Sequence, residues 1–170
     1  MPAKLTKAEQ TRRTRRAILD RARQLFATKG YTATSTEEII SELGITRGAL
    51  YHQFGDKLGV FRAVVAEAYS EITAHTGRQI QPLTDPWEQL VVGCQAFLEV
   101  AQQDDLRRLV FTEAPAVLAA ETLVEFDQYG FGLLHQAWGW RDGWRQPAQA
   151  IESQLHHGFQ RRARVGRHGW

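Results

Sequence analysis

TATSTEEIISELGITRGALYHQFGDKLGVF, residues 32–61, decides how this chain folds. Its apolar spacing gives two short helices, with Ile39, Ile40 and Leu43 on one face of the first and Leu50 and Phe54 on one face of the second. Gly44 stands between them, where a left-handed backbone permits the sharp reversal of a helix-turn-helix. Thr36 and Thr46 sit where N-caps belong, each hydroxyl free to accept from an unpaired amide of the helix that follows. Such a motif lays its second helix in the major groove, so duplex DNA is the expected partner.

Outward from the motif, the pattern stays helical. Residues 1 to about 11 read as an arm, and a first helix is predicted from Thr11 to Thr28, with Ile18, Ala22, Leu25 and Phe26 on one face and Gly30 ending it. A long helix follows Lys57, carrying Phe61, Val64, Val65, Ala68, Tyr69 and Ile72 out of the head and into a second domain. Asp85 and Pro86 open a fifth helix with an apolar face of Trp87, Leu90, Val91, Cys94, Leu98 and Ala101. A short helix with Leu106, Leu109 and Val110 should be closed or kinked by Pro115, and helix resumes from about Ala116 through Val124, Phe131 and Leu134. No stretch alternates as a strand does, so the class is all-α. The predicted division is 1–56 for a three-helix DNA-binding head and 57–170 for a helical regulatory and dimerisation domain.

Charge separates along the same line. Residues 1–29 hold nine Lys/Arg against Glu9 and Asp20, whereas residues 30–137 hold six against fifteen acidic residues. A basic end suits DNA and an acidic remainder avoids it. No apolar run nears the roughly 18 residues that span a bilayer, and the start of the chain has no apolar export core, so a cytoplasmic, nucleoid-associated protein with no membrane partner is expected. The single Cys94 cannot form an internal disulfide or a thiolate zinc cluster.

The segment TSTEEIISELGITRGALYHQFGDK resembles the DNA-binding helices of the TetR family of bacterial one-component regulators, with close similarity over roughly the first 65 residues. The shared pattern is Thr34 and Thr36, Ile39 and Ile40, Gly44-Ile45-Thr46, then Gly48-Ala49-Leu50-Tyr51-His52-Gln53-Phe54 and Lys57. Gln53 departs from it, since histidine is commoner there. The resemblance implies that Thr36 with its helix start, Thr46 and Gln53 position phosphates. It also implies that a small molecule enters an apolar pocket in the larger domain and spreads two heads apart. Candidate lining is Trp87, Phe97, Phe111, Phe126, Tyr129 and Phe131, with His75, Glu113 or His135 as polar contacts.

The chemistry of the motif supplies the other roles. Arg47 is the best base reader, because a guanidinium forks onto the two acceptors of guanine. Gly48 lets the backbone approach the groove, Ala49 can meet a thymine methyl, and Tyr51 and His52 can reach base or phosphate. Lys57, at a helix start, is a phosphate anchor. Arg12, Arg13, Arg15 and Arg16 lie where a backbone or minor groove would pass. One motif has too little contact area for strong specificity, so a homodimer on a palindromic site is expected.

Other readings are weaker. An enzyme needs a nucleophile with a base, or a metal set. Cys94 on an apolar face reads as a buried structural thiol, no glycine-rich phosphate loop is present, and His156 and His157 point about 100° apart on a helix, so neither metal nor cofactor is expected. A helix-turn-helix protein without a sensor remains the alternative. So does a repressor impaired by its tail, because residues 138–170 hold four of the five Trp and six Arg but no Lys. Only Ile151, Leu155 and Phe159 there keep the spacing of the dimer helix that the resemblance implies. An altered reading frame and an unusual native tail both fit that composition.

Overall fold

The computed structural model describes residues 6–126, and among them there is no strand. Helix α1 (Lys7–Lys29) starts earlier than the expected Thr11, because Thr6 and Glu9 form a capping box. Thr6 Oγ1 accepts from the Glu9 amide at 3.2 Å, and Glu9 Oε2 accepts from the Thr6 amide at 2.7 Å. Gly30 ends it at φ 86°, as the sequence predicts.

Helix α2 (Thr36–Ile40) is capped by Ser35, not by Thr36. Three residues on from Ser35 stands Glu38, which returns the bond to the Ser35 amide at 3.0 Å; three on from Thr36 is Ile39, which cannot. Thr36 is instead the first helical residue, nearly buried, its hydroxyl donating to Glu37 Oε2 at 3.0 Å. Gly44 takes φ 61° in the turn, and Thr46 caps α3 (Arg47–Phe54) through the Ala49 amide at 3.2 Å, both as expected. Asp56 then caps α4 (Lys57–Ile80), and Asp85 with Pro86 opens α5 (Pro86–Ala101).

Glu38 does more than cap. The Lys29 ammonium, 2.5 Å away, and then the Ser35 amide hold its carboxyl down at about 2, against an ordinary 4.5. A depressed carboxyl favours the fold above its unfolded value and loses that contribution as pH falls through its folded one. Glu38→Gln should therefore melt below the wild type at neutral pH, and the gap should close as pH drops from 4.5 to about 2. A gap that stays constant across that window in thermal melts would mean that the charge plays no part.

One apolar core runs from the head into α4. Ile18, Ala22, Phe26, Ile39, Leu50, Val60, Phe61 and Val65 are fully buried, with Phe26 and Phe61 edge to face at 5.1 Å. Arg23 ties the frame from outside, its guanidinium meeting Glu71 on α4 and Asp105 beyond α5, each at 2.7 Å. Burial works against the Arg23 charge, but the two carboxylates outweigh it and raise its pKa.

The buried stripe of α5 differs from the expected one. Gly93, Ala96 and Val100 face inward, whereas Trp87, Val91, Cys94 and Leu98 are exposed. Small residues at helical spacing let α5 approach α4 closely: a Cβ on Gly93 would lie 3.4 Å from Ile80 Cγ2. Larger apolar side chains are left at the edges, so Cys94 is not the buried structural thiol that its apolar neighbours predict.

The expected short helix before Pro115 has three parts. A turn of α6 (Asp104–Leu106) widens into a π-helical segment, Arg107–Glu113, and returns to α7 (Ala114–Val117). The Ala114 amide reaches back to Leu109 O, and Pro115, which has no amide proton to donate, falls in the first turn of α7. The helix predicted to run on from Ala116 breaks at residues 118–119 and resumes at 120–126.

Candidate nucleic-acid interface and adjoining cavity

Helix α3 buries Leu50 and half-buries Phe54, and this leaves Arg47, Gly48, Tyr51 and His52 exposed, with Ala49 and Gln53 partly so. The candidate readers thus share the outer side of one short helix. Arg47 does not swing free. Its Nη2 donates to Tyr51 Oη at 3.1 Å, its guanidinium carbon stands 5.3 Å from the Tyr51 ring centre, and its Nη1 meets Glu37 Oε1 at 3.2 Å. The Tyr51 bond and then the charge of Glu37 raise the Arg47 pKa. Glu37 lies below the usual carboxylate range, held first by its own backbone amide, then by the Thr36 hydroxyl and the Arg47 charge.

Lys57 and Arg15 frame that helix. Lys57 Nζ donates to Tyr31 O at 3.1 Å and Thr34 O at 3.0 Å and sits 4.2 Å from the Tyr31 ring centre. An ammonium has three protons, so these two carbonyls take two of them. Arg15 lies over the Phe54 ring at 4.5 Å and stays exposed. Arg16 points elsewhere, paired to Asp20 at 2.6 Å and Glu67 at 3.1 Å. Gln53 Oε1 is buried without a hydrogen-bond partner.

Behind the head, α4, α5 and the π-helical segment line a half-open cavity of about 410 Å³. Ile72, Thr76, Leu90, Cys94, Phe97, Val110, Phe111 and Leu123 are among its lining, and no charged side chain is among the described lining residues. Of the predicted lining, Phe97 and Phe111 are there, edge to face at 5.8 Å. Trp87 and Phe126 are not: Trp87 is 44% exposed, and Phe126 stacks on Tyr69 at 5.6 Å. Tyr129, Phe131 and His135 lie outside the described residues. His75 faces Glu99 at 3.8 Å rather than the cavity.

Glu113 turns toward the head instead of the cavity. Its Oε2 accepts from the Tyr31 amide at 2.8 Å, while Arg108 Nη1 donates to Thr28 O at 2.6 Å. Neither Glu113 as a head contact nor Glu37 as a partner of Arg47 is visible in the sequence, since both pairings depend on how the helices cross. Arg47 and Tyr51, four residues apart on one helix, are the part that spacing does reveal.

Residues 18–64 match the family model for bacterial regulatory proteins of the tetR family, and residues 87–153 match that for the tetracyclin repressor-like C-terminal domain. A TetR-family transcriptional regulator from Pectobacterium atrosepticum is 33% identical, with a TM-score of 0.58 over 78% of this chain and 72% of that one. The chain belongs to the TetR family. The second match runs into the compositionally unusual stretch from 138 as far as 153. The transcriptional repressor BepR of Brucella suis is 36% identical over 63% of this TetR-family chain and 51% of its own, so the chain spans about half the length of that curated relative. NalD, the secondary repressor of the MexAB-OprM multidrug efflux pump in Pseudomonas aeruginosa, is 25% identical, with a TM-score of 0.53 over 95% of this chain and 89% of its own. Membership places the chain among helix-turn-helix transcriptional regulators rather than enzymes. No helix among the described residues is long and apolar enough to cross a membrane.

Proposed function

We propose that this chain is a repressor that holds a palindromic operator as a homodimer in the cytoplasm and lets go when an uncharged apolar molecule fills its cavity. The observation that carries this is the double duty of Arg107–Glu113. Val110 and Phe111 line the cavity, while Arg108 and Glu113 of the same segment grip Thr28 and Tyr31 of the head. A molecule that parts Phe97 from Phe111 would press on that segment, and through it on Tyr31, on whose ring and carbonyl Lys57 rests. π-helical turns within helices concentrate at functional places, which supports a mechanical role here. The roughly 300–1,000 Å³ range of ligand sites includes this cavity. The lack of a charged side chain among the described lining residues supports a neutral ligand, since a buried unpaired charge is costly. The role named for NalD supports a drug-like compound. Arg47, Tyr51 and His52 would then read bases, with Thr46, Lys57 and Arg15 on phosphates.

Cys94 is the chain's single cysteine and lies on the cavity wall, so its alkylation reports occupancy. Neutral N-phenyl-1-naphthylamine should slow maleimide attack on Cys94. It should also weaken DNA binding by the same factor by which DNA weakens its own binding. Protection of Cys94 with no change in DNA affinity would favour the reading without a sensor.

A further inference from the structure

We propose that Glu37 is a positioning residue that sets base specificity, bracing Arg47 from α2 so that its fork is offered to guanine rather than to the phosphate backbone. The inference rests on the DNA-reading function proposed above. Thr36 hydroxyl, Glu37 carboxylate, Arg47 guanidinium and Tyr51 hydroxyl form one continuous chain, with links of 3.0, 3.2 and 3.1 Å. It crosses from the first helix of the motif to the second and holds the arginine from both sides.

Stability does not account for the pair. Glu37 and Arg47 side chains are 60% and 64% exposed, and ion pairs so open to water contribute little to a fold. For affinity alone a carboxylate is a poor choice, because it repels the phosphates of any duplex that the helix approaches. An acid kept on this face is accounted for by selectivity. A long arginine has many rotamers, and on DNA an unbraced one finds a phosphate oxygen as readily as a base. Bracing leaves the planar fork in one pose, as bidentate contact with the O6 and N7 acceptors of guanine requires. Glu37 so placed also makes drift toward the backbone unfavourable.

The test uses the full chain and the duplex it enriches from a random library. The ratio of affinities for that duplex and for its single-base variants is measured for wild type, Glu37→Gln, Arg47→Ala and the double variant, each across a salt series. Thermal melts check that all four fold. Glu37→Gln should reduce discrimination at one G·C pair per half-site by about tenfold. Its binding to unrelated DNA should rise, with the slope of log affinity against log salt steeper by about one per chain as Arg47 moves to a phosphate. Once Arg47 is alanine, the same change at Glu37 should leave discrimination unaltered. An unchanged ratio in Glu37→Gln, or an equal loss with and without Arg47, would overturn the proposal. A wild-type chain that enriches no sequence would overturn the DNA-reading function and this inference together. Enrichment by wild type and by Glu37→Gln alike would overturn only the inference.

Discussion

Gly59→Ala is expected to destabilise the protein by about 3 kcal/mol or more, the upper end for a forced overlap. A Cβ at position 59 would sit 1.9 Å from the carbonyl oxygen of Phe54, well inside any real contact. That oxygen belongs to the backbone at the end of α3 and has no rotamer to escape into. The junction is held on its other side by Asp56, whose Oδ1 accepts from the Gly59 amide at 2.7 Å. Relief therefore has to come from parting α3 from α4, which pulls Leu50 and Phe61 out of the shared core and takes DNA binding with it. Urea unfolding measures the loss. Gly48→Ala is the control: only Thr46 Oγ1, at 3.9 Å, would lie near the new methyl, so its stability should match the wild type or slightly exceed it. A Gly59→Ala protein as stable as the wild type would mean that the α3–α4 junction is not built this way.

Gly59 also marks the limit of what the residues reveal by themselves. Gly44, Thr46 and the pattern from Ile39 to Phe54 act within a few residues of one another, and each is found where its spacing puts it. Ser35 displaces Thr36 as cap because the return bond from Glu38 decides between two adjacent hydroxyls, a difference that residue type alone does not express. For α5 the apolar pattern misleads, because close packing on α4 selects small Gly93 and Ala96 and leaves Trp87 and Leu98 to the outside. The predicted lining is met only in part, for a related reason. Aromatic residues were the cue, yet only Phe97 and Phe111 of those described reach the cavity, and Ile72, Thr76, Leu90 and Cys94 supply much of the rest. Pairings across long separations, such as Tyr31 with Glu113 or Glu37 with Arg47, have no local signal at all.

Arg47→Ala should have the largest effect on function without touching the fold. The side chain is exposed, and its partners Glu37 and Tyr51 are themselves open to water, so truncation leaves no buried group unpaired. On DNA the loss is different in kind. Removing a forked contact to guanine should cut discrimination at that base pair by roughly tenfold or more per half-site. A Lys57→Ala protein makes the comparison, with a thermal melt to measure what loss of its bonds to the Tyr31 and Thr34 carbonyls does to the fold: as the proposed phosphate contact carries no base information, the variant should weaken binding to all sequences alike and lower the salt slope by about one. Competition binding against operator variants separates the two. Unchanged base preference in Arg47→Ala would remove it as a reader and move that role to Tyr51 or His52.

The most direct test of a paired DNA reader is to let the full chain choose its own site from random duplexes and to weigh the complex that results. Two copies bound to an inverted repeat, with a G·C pair at the same place in each half, is the outcome this account predicts. A single copy on an unrepeated site, or no enrichment of any sequence, would contradict it.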